Sequence, residues 1–522
     1  EDLTGHGIQL WIEKGQLHYR APKGTLHPTM LKLLAENKAE IRAYLSARQR
    51  AEASDLFAQV EPDYAHRYQP FPLTDLQMAY WAGRGATLKI GNVGDHTYIE
   101  QDTIVLDLQR FEIALQRLIE RHEMLRVVIL PDGQQQILEH VSLPPLRVID
   151  LRGLDSQPKA DQLAQTRQEM EHQLLPVEHW PPFDLRVTLL DAQRSRVHLS
   201  IETLFVDATS FSILAHEFLQ FYSNPETTLE PLNFSFRDYT LAIQEKFRRS
   251  ERYQSSRAYW LKRLPDLPPA PNFPLVHLSN MPVQPRFVPR QAKLSAREWK
   301  RLKTRAALSG VTPASVLLTA FAEVLTSWSK SPRFSINLHV CNREAFHPQV
   351  DAVVGNFTSL TVLAIDHSVP ETFEKRVQHI QKELVDTLEY RHYSSIHVLR
   401  EWARHRGEGA KVVLPVMFRS TLLQSDTDFY VASDSFQELT YYNTQTFQVL
   451  LDHHVFEVNG ELIFHWSVVE EAFPSNFVDA MFDAYCRLLQ HLAVTEVIWQ
   501  ELSYEFLGRE EILASESETT VI

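Results

Sequence analysis

Residues 197–222 predict a buried strand that hands directly to a helix, with acids at the junction. Val197, Leu199 and Ile201 alternate with His198 and Ser200, the two-residue period of a half-buried strand, and Leu204-Phe205-Val206 carry the apolar run to Asp207. The spacing beyond predicts a helix from Phe211 to Tyr222, with Ser210 as its cap, serine being a favoured cap residue. A strand feeding a helix in this way implies an α/β protein. A carboxylate taken into an apolar interior must find a cation or several donors, or become neutral. Asp207 is therefore either one half of a structural ion pair or a site residue.

The same alternation recurs along the chain. Pro70-Phe71-Pro72-Leu73-Thr74-Asp75 opens a large unit with Thr74 or Asp75 as a helix cap, followed by a helix over Arg110 to Arg121 and strands over Leu125 to Leu130, Leu185 to Leu190 and Val197 to Leu204. A short proline-rich connector, residues 264–271, leads to a second α/β unit. There we expect helices Ala314 to Trp328, Phe373 to Tyr390 and Phe477 to Leu492, and strands Arg333 to Val340, Val412 to Phe418, Phe447 to Asp452 and Leu462 to Val468. The first fifty residues form a separate module too small to be an enzyme. It has a hairpin of Ile8 to Ile12 and Gln16 to Tyr19 around Lys14-Gly15, then two helices carrying Met30, Leu33 and Leu34 and Ile41, Tyr44 and Leu45. The expected division is a small domain at 1–50, a linker at 51–68, large units at 69–265 and 266–508, and a Ser/Thr-containing linker at 509–522.

A chain of 522 residues with 44% hydrophobic content fills more than one core. Its net charge of -14 and the lack of a sustained basic patch argue against general nucleic-acid binding. Cys341 and Cys486 are far apart and outside any metal-ligand spacing, which supports neither a disulfide framework nor a zinc site. No apolar run approaches the ~20 residues needed to span a bilayer, and the first residues lack a basic region followed by an apolar core. The expectation is a soluble cytoplasmic protein without membrane or nucleic-acid partners.

Four segments, in order, resemble the heterocyclization domains of nonribosomal peptide synthetases: the stretch from Phe71 to Arg84 (FPLTDLQMAYWAGR), Arg121-His122-Glu123-Met124-Leu125-Arg126, Thr312-Pro313 with Ala320 to Leu325, and Gln448 to His453. The resemblance runs from about residue 66 to 505. The family's second core motif reads Asp, four residues, Asp, two residues, Ser; Glu202, Asp207 and Ser210 occupy those places, the first lengthened by a methylene. Tyr19-Arg20-Ala21-Pro22-Lys23-Gly24 is similar to the docking domains that precede such domains in tubulysin-type and epothilone-type assembly lines. That likeness implies a grip on the C-terminal tail of an upstream synthase subunit, with Tyr19, Arg20 and Lys23 beside an open hairpin edge that an acidic tail strand could join. A solvated basic loop is the alternative.

The resemblance implies two chloramphenicol-acetyltransferase-like lobes in a V around a tunnel, entered from both sides by phosphopantetheine arms of upstream and downstream carrier proteins. It implies no bound cofactor and no metal. An acyl thioester would be joined to a carrier-bound Cys, Ser or Thr, whose side chain then closes a ring that loses water to give a thiazoline or oxazoline. Hydroxide is a poor leaving group, so the last step calls for a carboxyl group within hydrogen-bond reach. By position in the family that group is Asp452, at the end of the predicted strand, and Asn342, Arg419 and Ser420 complete the catalytic set.

Departures from the pattern fall in the same places. The family's threonine partner for this aspartate is replaced in Pro415-Val416-Met417-Phe418-Arg419-Ser420, and an arginine, charged at any working pH, is no proton relay. Arg419 is expected to hold Asp452 ionised and less basic, unless it points elsewhere and Ser420 or Thr421 takes the role. Asn356 stands where the family has aspartate, and Phe447, between the tunnel positions Thr446 and Gln448, stands where it has proline. Arg343 does match, and is the expected buried partner of Asp207. Glu202 either faces the tunnel or is a solvated strand residue. His122 reads as a packed residue orienting a loop, and His453 and His454 lack a third metal ligand within reach. Three functions stay open: condensation with cyclodehydration, condensation alone, or a non-catalytic docking module, which would have a blocked tunnel.

Overall fold

The computed structural model describes residues 9–13, 16–20, 60–85, 93–276, 282, 284–407, 412–422 and 435–502. In the N-terminal module Gln9–Glu13 and Gln16–Arg20 pair antiparallel, Glu13 opposite Gln16, as the alternation around Lys14-Gly15 predicts. Lys14, Gly15, Lys23 and the two helices expected there lie outside the described residues.

The first large sheet has five strands in the order Phe436–Gln445, His96–Ile104, Arg194–Glu202, Phe183–Leu189 and Arg147–Asp150. Helices Leu108–Arg121 and Ala208–Ser223 pack together beside it, joined by edge-on aromatic contact between Phe111 and Phe218 at 5.0 Å. Thr74 caps the helix Asp75–Gly83 through a reciprocal pair of bonds with Gln77. The outermost member of the sheet, Phe436–Gln445, comes from the far end of the sequence and aligns Gln445 with His96 and Phe436 with Thr103. It ties the second half of the chain into the first lobe.

The second sheet has six strands in the order Phe287–Leu294, Glu461–Val469, Leu451–Val458, Val416–Ser420, Arg333–Cys341 and Thr358–Asp366. The strand Val416–Ser420 runs parallel to both its neighbours, and the other pairings are antiparallel. Helix Pro313–Trp328 starts with proline at its first turn, where the absent N–H costs nothing, and is buried from Ala314 to Trp328. Its Phe321 meets Trp466 at 5.6 Å and Tyr485 at 6.1 Å between ring centroids, fixing the helix on one face of the sheet and leaving the other face toward the first lobe. Among the described residues no single helix is long and apolar enough to cross a membrane.

Several expected boundaries move. The strand drawn from Phe447 begins only at Leu451, because Gln448 sits at φ +59° in a turn closed by the Val449 N–H on the Thr446 carbonyl at 3.2 Å. Asp452 is thus the second residue of its strand and not its last. Val412 to Pro415 precede the strand that starts at Val416, and Glu123–Arg126 is a short 3-10 turn ahead of Val127–Ile129. The helix drawn from Phe211 starts at Ala208, and its cap is Asp207, whose Oδ1 accepts from the Ser210 N–H at 2.7 Å. Ser210 lies inside the helix, not at its cap.

Candidate active site

Strand alternation decides what Leu451–Val458 presents to each side. His453 enters the core of the second lobe, 4.5 Å from the Phe321 ring and 4.8 Å from Tyr485, with neither ring nitrogen hydrogen-bonded. Asp452 and His454 turn the other way. The parallel neighbour Val416–Ser420 sets Met417 beside Asp452 and Arg419 beside His454, so Arg419 reaches back along the same face.

Arg419 does point at Asp452. Its Nε donates to Oδ1 at 3.0 Å, its Nη2 donates to Oδ2, and Nη2 also donates to Thr444 Oγ1 at 2.9 Å. Thr446 Oγ1 donates to Asp452 Oδ2 at 3.3 Å from the segment that returns from the first lobe. Arg419 favours the ionised form of Asp452 as expected, while burial acts the other way and raises the Asp452 pKa above the ordinary carboxylate value. Burial works against the Arg419 charge most strongly, but Asp452, Tyr442 and Tyr80 together outweigh it and the guanidinium pKa rises. Neither fallback hydroxyl bonds to Asp452, although both residues line the adjoining cavity. Ser420 Oγ is buried without a hydrogen-bond partner, and Thr421 Oγ1 donates to the Val455 carbonyl at 3.4 Å.

Asp452's neighbours Arg419, Thr446 and His454 line a cavity of about 740 Å³, part of it open to solvent, with Tyr80, Asp95 and Asp207 from the first half of the chain. Asp207 pairs with Arg343 as expected, Nη2 to Oδ1 at 3.1 Å, both side chains buried. Arg343 also donates to Ser210 Oγ at 3.0 Å and to the carbonyls of Val350 and Val353 at 3.0 and 2.8 Å, with its guanidinium 4.0 Å from the Phe357 ring centre. The Phe357 N–H donates to Asp207 Oδ2 at 3.1 Å. The motif aspartate is a brace between the lobes that also forms cavity wall.

Glu202 follows neither reading offered for it. It is fully buried away from the cavity wall, with Oε1 accepting from Arg84 Nη1 at 2.6 Å and Oε2 left without a partner. Burial pushes its pKa up to about 7, with Arg84 opposing. Asn356 lines the cavity, donates Nδ2 to the Thr203 carbonyl at 2.7 Å and accepts the Thr358 N–H at 3.0 Å. Asn342 is not brought to Asp452: its Oδ1 accepts from Arg391 Nε at 3.2 Å, outside the cavity lining. Gln448 supplies the left-handed turn residue and is likewise absent from the lining, while the Phe447 ring fills the space an added Cβ on Gly83 would need. His122 is buried with Nε2 on Glu217 Oε2 at 2.7 Å, beside Arg121 on the same carboxylate, which steadies that turn. Tyr19 and Arg20 fall on the second hairpin strand.

Over residues 95–497 the sequence matches the Condensation domain. The chain belongs to the condensation-domain family. Residues 1–47 of this condensation-domain chain match the TubC N-terminal docking domain. The crystallised EpoB NRPS cyclization-docking bidomain from Sorangium cellulosum is 36% identical, covers 96% of this chain and 98% of that one, and superposes with a TM-score of 0.81. That likeness over both parts places the chain with the cyclization type of condensation domain behind a docking domain. Pyochelin synthetase PchF of Pseudomonas aeruginosa is 35% identical over 508 residues, 96% of this chain and 27% of that protein. Phenyloxazoline synthase MbtB of Mycobacterium sp. (strain MCS) is 34% identical over 438 residues, 82% of this chain and 36% of that protein. The chain spans between 9% and 36% of the curated relatives it matches.

Two groups that line this condensation-domain cavity, Tyr80 and Asp95, and one beside its wall, Thr444, were not singled out by the sequence. Thr444 is the penultimate residue of a strand, Phe436–Gln445, that pairs across the two halves of the chain and so has no local signal. Tyr80 lies on helix Asp75–Gly83 within the stretch Phe71 to Arg84, with nothing local to set it apart as a cavity residue. Asp95 opens the strand His96–Ile104, and an acid just ahead of a strand reads as an ordinary turn residue.

Proposed function

We propose that this domain joins an upstream carrier-bound acyl thioester to a carrier-bound Cys, Ser or Thr, then closes the ring and expels water to form a thiazoline or oxazoline. The observation that carries the proposal is Asp452 directly behind the wall of an inter-lobe cavity, bonded to the wall residues Arg419 and Thr446, with the Thr446 hydroxyl on one of its oxygens. Thr446 supplies, from a different strand connection, the hydroxyl that Arg419 displaced. Holding two thioesters in line can provide roughly 7–11 kcal/mol of the amide-forming barrier by placement alone. A buried carboxyl with a raised pKa suits the proton transfers that follow.

The substrates arrive on phosphopantetheine arms, so the domain itself needs no bound cofactor. The upstream subunit's C-terminal tail would add to the hairpin edge near Tyr19, Arg20 and Lys23 by strand pairing. A cytoplasmic setting fits the two free cysteines, Cys341 and Cys486.

Condensation without dehydration is the second reading, and the clamp of Arg419 on both Asp452 oxygens favours it. Loading both carriers with labelled substrates and following intact mass separates the cases. An amide that then loses the mass of one water supports the full reaction, an amide that keeps its mass leaves condensation alone, and no transfer refutes both.

A further inference from the structure

The cavity that Arg419 lines also holds a carboxyl outside the Asp452–Arg419 pair. Asp95 is 6% exposed and lines the same space. Thr203 fixes it twice: the Thr203 N–H donates to the Asp95 carbonyl at 2.8 Å, and Thr203 Oγ1 donates to Oδ2 at 2.8 Å. Among the described residues no cation pairs with it, whereas both oxygens of Asp452 are taken by Arg419. The charged and titratable groups around Asp95 come from every element that faces the cavity. Tyr80 comes from helix Asp75–Gly83, Asp207 from the cap of helix Ala208–Ser223, Glu202 from the end of its strand, Tyr442 from the strand Phe436–Gln445, and His339, Cys341, Arg419, Asp452 and His454 from the second sheet. Burial is the dominant influence and moves the Asp95 pKa up to about 7, with the Thr203 hydroxyl and Arg419 opposing. At neutral pH the cavity therefore holds a carboxyl that can either give or take a proton, which Asp452 can do only by breaking its clamp.

We propose that Asp95 is a second acid-base group of this cavity and moves the protons of the water-losing step. The proposal rests on the cyclodehydration reading above. The cyclised intermediate carries a hydroxyl on the former amide carbon. The Asp95 carboxyl gives its proton to that hydroxyl oxygen, the C–O bond breaks with its electron pair leaving on water, and the ring nitrogen lone pair forms the C=N bond. The N–H proton of the resulting iminium passes to the Asp95 carboxylate, so one water leaves and the acid is restored. No oxidant or second reactant enters.

The test is single-turnover intact-mass kinetics with both carriers loaded, for the wild type, Asp95→Asn and Asp95→Glu, from about pH 5 to about pH 9. Asp95→Asn keeps the bond from Thr203, so it should form amide at the wild-type rate while water loss falls by ~10²-fold or more. Asp95→Glu should recover part of the loss. The wild-type rate of water loss should decline as pH rises through about 7, the value to which burial brings Asp95, and Thr203→Val, which removes a bond favouring the ionised form, should shift that decline to higher pH. Asp95→Asn that loses water at the wild-type rate, or that slows both steps equally, overturns the role of Asp95 while leaving the ring-closing reading intact. A wild type that makes amide and never loses water overturns both. Should Asp95→Asn fail to fold, an unmoved pH profile in Thr203→Val overturns the proposal by itself.

Discussion

Arg343→Ala would show whether the motif aspartate is a brace, because the geometry fixes what the substitution removes. The guanidinium makes four hydrogen-bonded contacts, to Asp207, Ser210, Val350 and Val353, and covers the Phe357 ring. Alanine leaves Asp207 with the Ser210 and Phe357 N–H groups at 2.7 and 3.1 Å but without its cation. Removing one partner of a buried pair costs about 3–5 kcal/mol. With an unfolding entropy of about 2.1 cal/mol/K per residue, a unit of about 440 residues has roughly 0.9 kcal/mol/K, so the melting temperature should fall by ~3–5 °C. Differential scanning calorimetry of Arg343→Ala, Asp207→Asn and the double variant measures the drop and the coupling. The double variant should be less destabilised than the sum of the singles by about 0.5–3 kcal/mol. A brace loosens the lobes as a whole, so amide formation and water loss should slow together. A fall below ~1 °C with additive singles, or a defect confined to water loss, refutes the reasoning.

Three further outcomes follow from the same geometry. Arg419→Thr takes the guanidinium off both oxygens of Asp452, leaving the Thr446 hydroxyl on Oδ2, and should raise water loss relative to amide formation by up to ~10²-fold; an unchanged ratio of product masses removes Arg419 as an obstacle. Gly355→Ala forces a Cβ into the Phe236 ring and disturbs the backbone that bonds Ser210, which should cost about 1–3 kcal/mol in denaturant unfolding. Glu202 has a folded-state pKa near 7 against an ordinary 4.5, so its contribution is fully present below about pH 4.5 and is lost as pH rises through about 7. At about 1.4 kcal/mol per pH unit this amounts to roughly 3 kcal/mol, and Glu202→Gln should flatten that part of the stability profile measured between about pH 5 and pH 8.

Local periodicity found the helices that bury one face and the strands that alternate cleanly. Pro313–Trp328, Arg333–Cys341 and Phe477–Val494 were legible to within two residues at either end. It failed where a fold depends on partners distant in sequence. The strands His96–Ile104 and Phe436–Gln445 bury polar side chains such as Glu100, Thr103 and Asn443 inside networks, so their hydrophobic pattern is weak. The apolar run Val449-Leu450-Leu451 looks like one strand, yet a turn at Gln448 hands only its last residue to the sheet. The Asp207–Arg343 pair was legible because both residues lie in recognisable motifs and a buried acid demands a cation. Thr446 was legible as a tunnel position, but its bond to Asp452 was not, since it approaches from a connection whose turn at Gln448 the apolar run beyond it conceals.

The positions that depart from the family pattern are not equivalent in space, and their contacts suggest why they coexist. Arg419 acts on Asp452 directly. Glu202 and Asn356 do not touch Asp452, but both bear on Thr203: Glu202 precedes it in the chain, and Asn356 donates to its carbonyl at 2.7 Å. Thr203 in turn holds Asp95. An aspartate at 356 could not donate to that carbonyl when ionised, and would set a negative charge against it. An amide there satisfies the carbonyl without adding a third carboxylate to a cavity wall that already carries Asp95 and Asp207. Glu202, buried with Arg84, pushes the Asp95 pKa upward, whereas Arg419 pulls it down. Thus the lengthened acid, the neutral amide and the arginine all converge on the protonation of Asp95, a residue in none of the motifs, and the loss of a threonine beside Asp452 is accompanied by the tuning of another carboxyl at the same cavity.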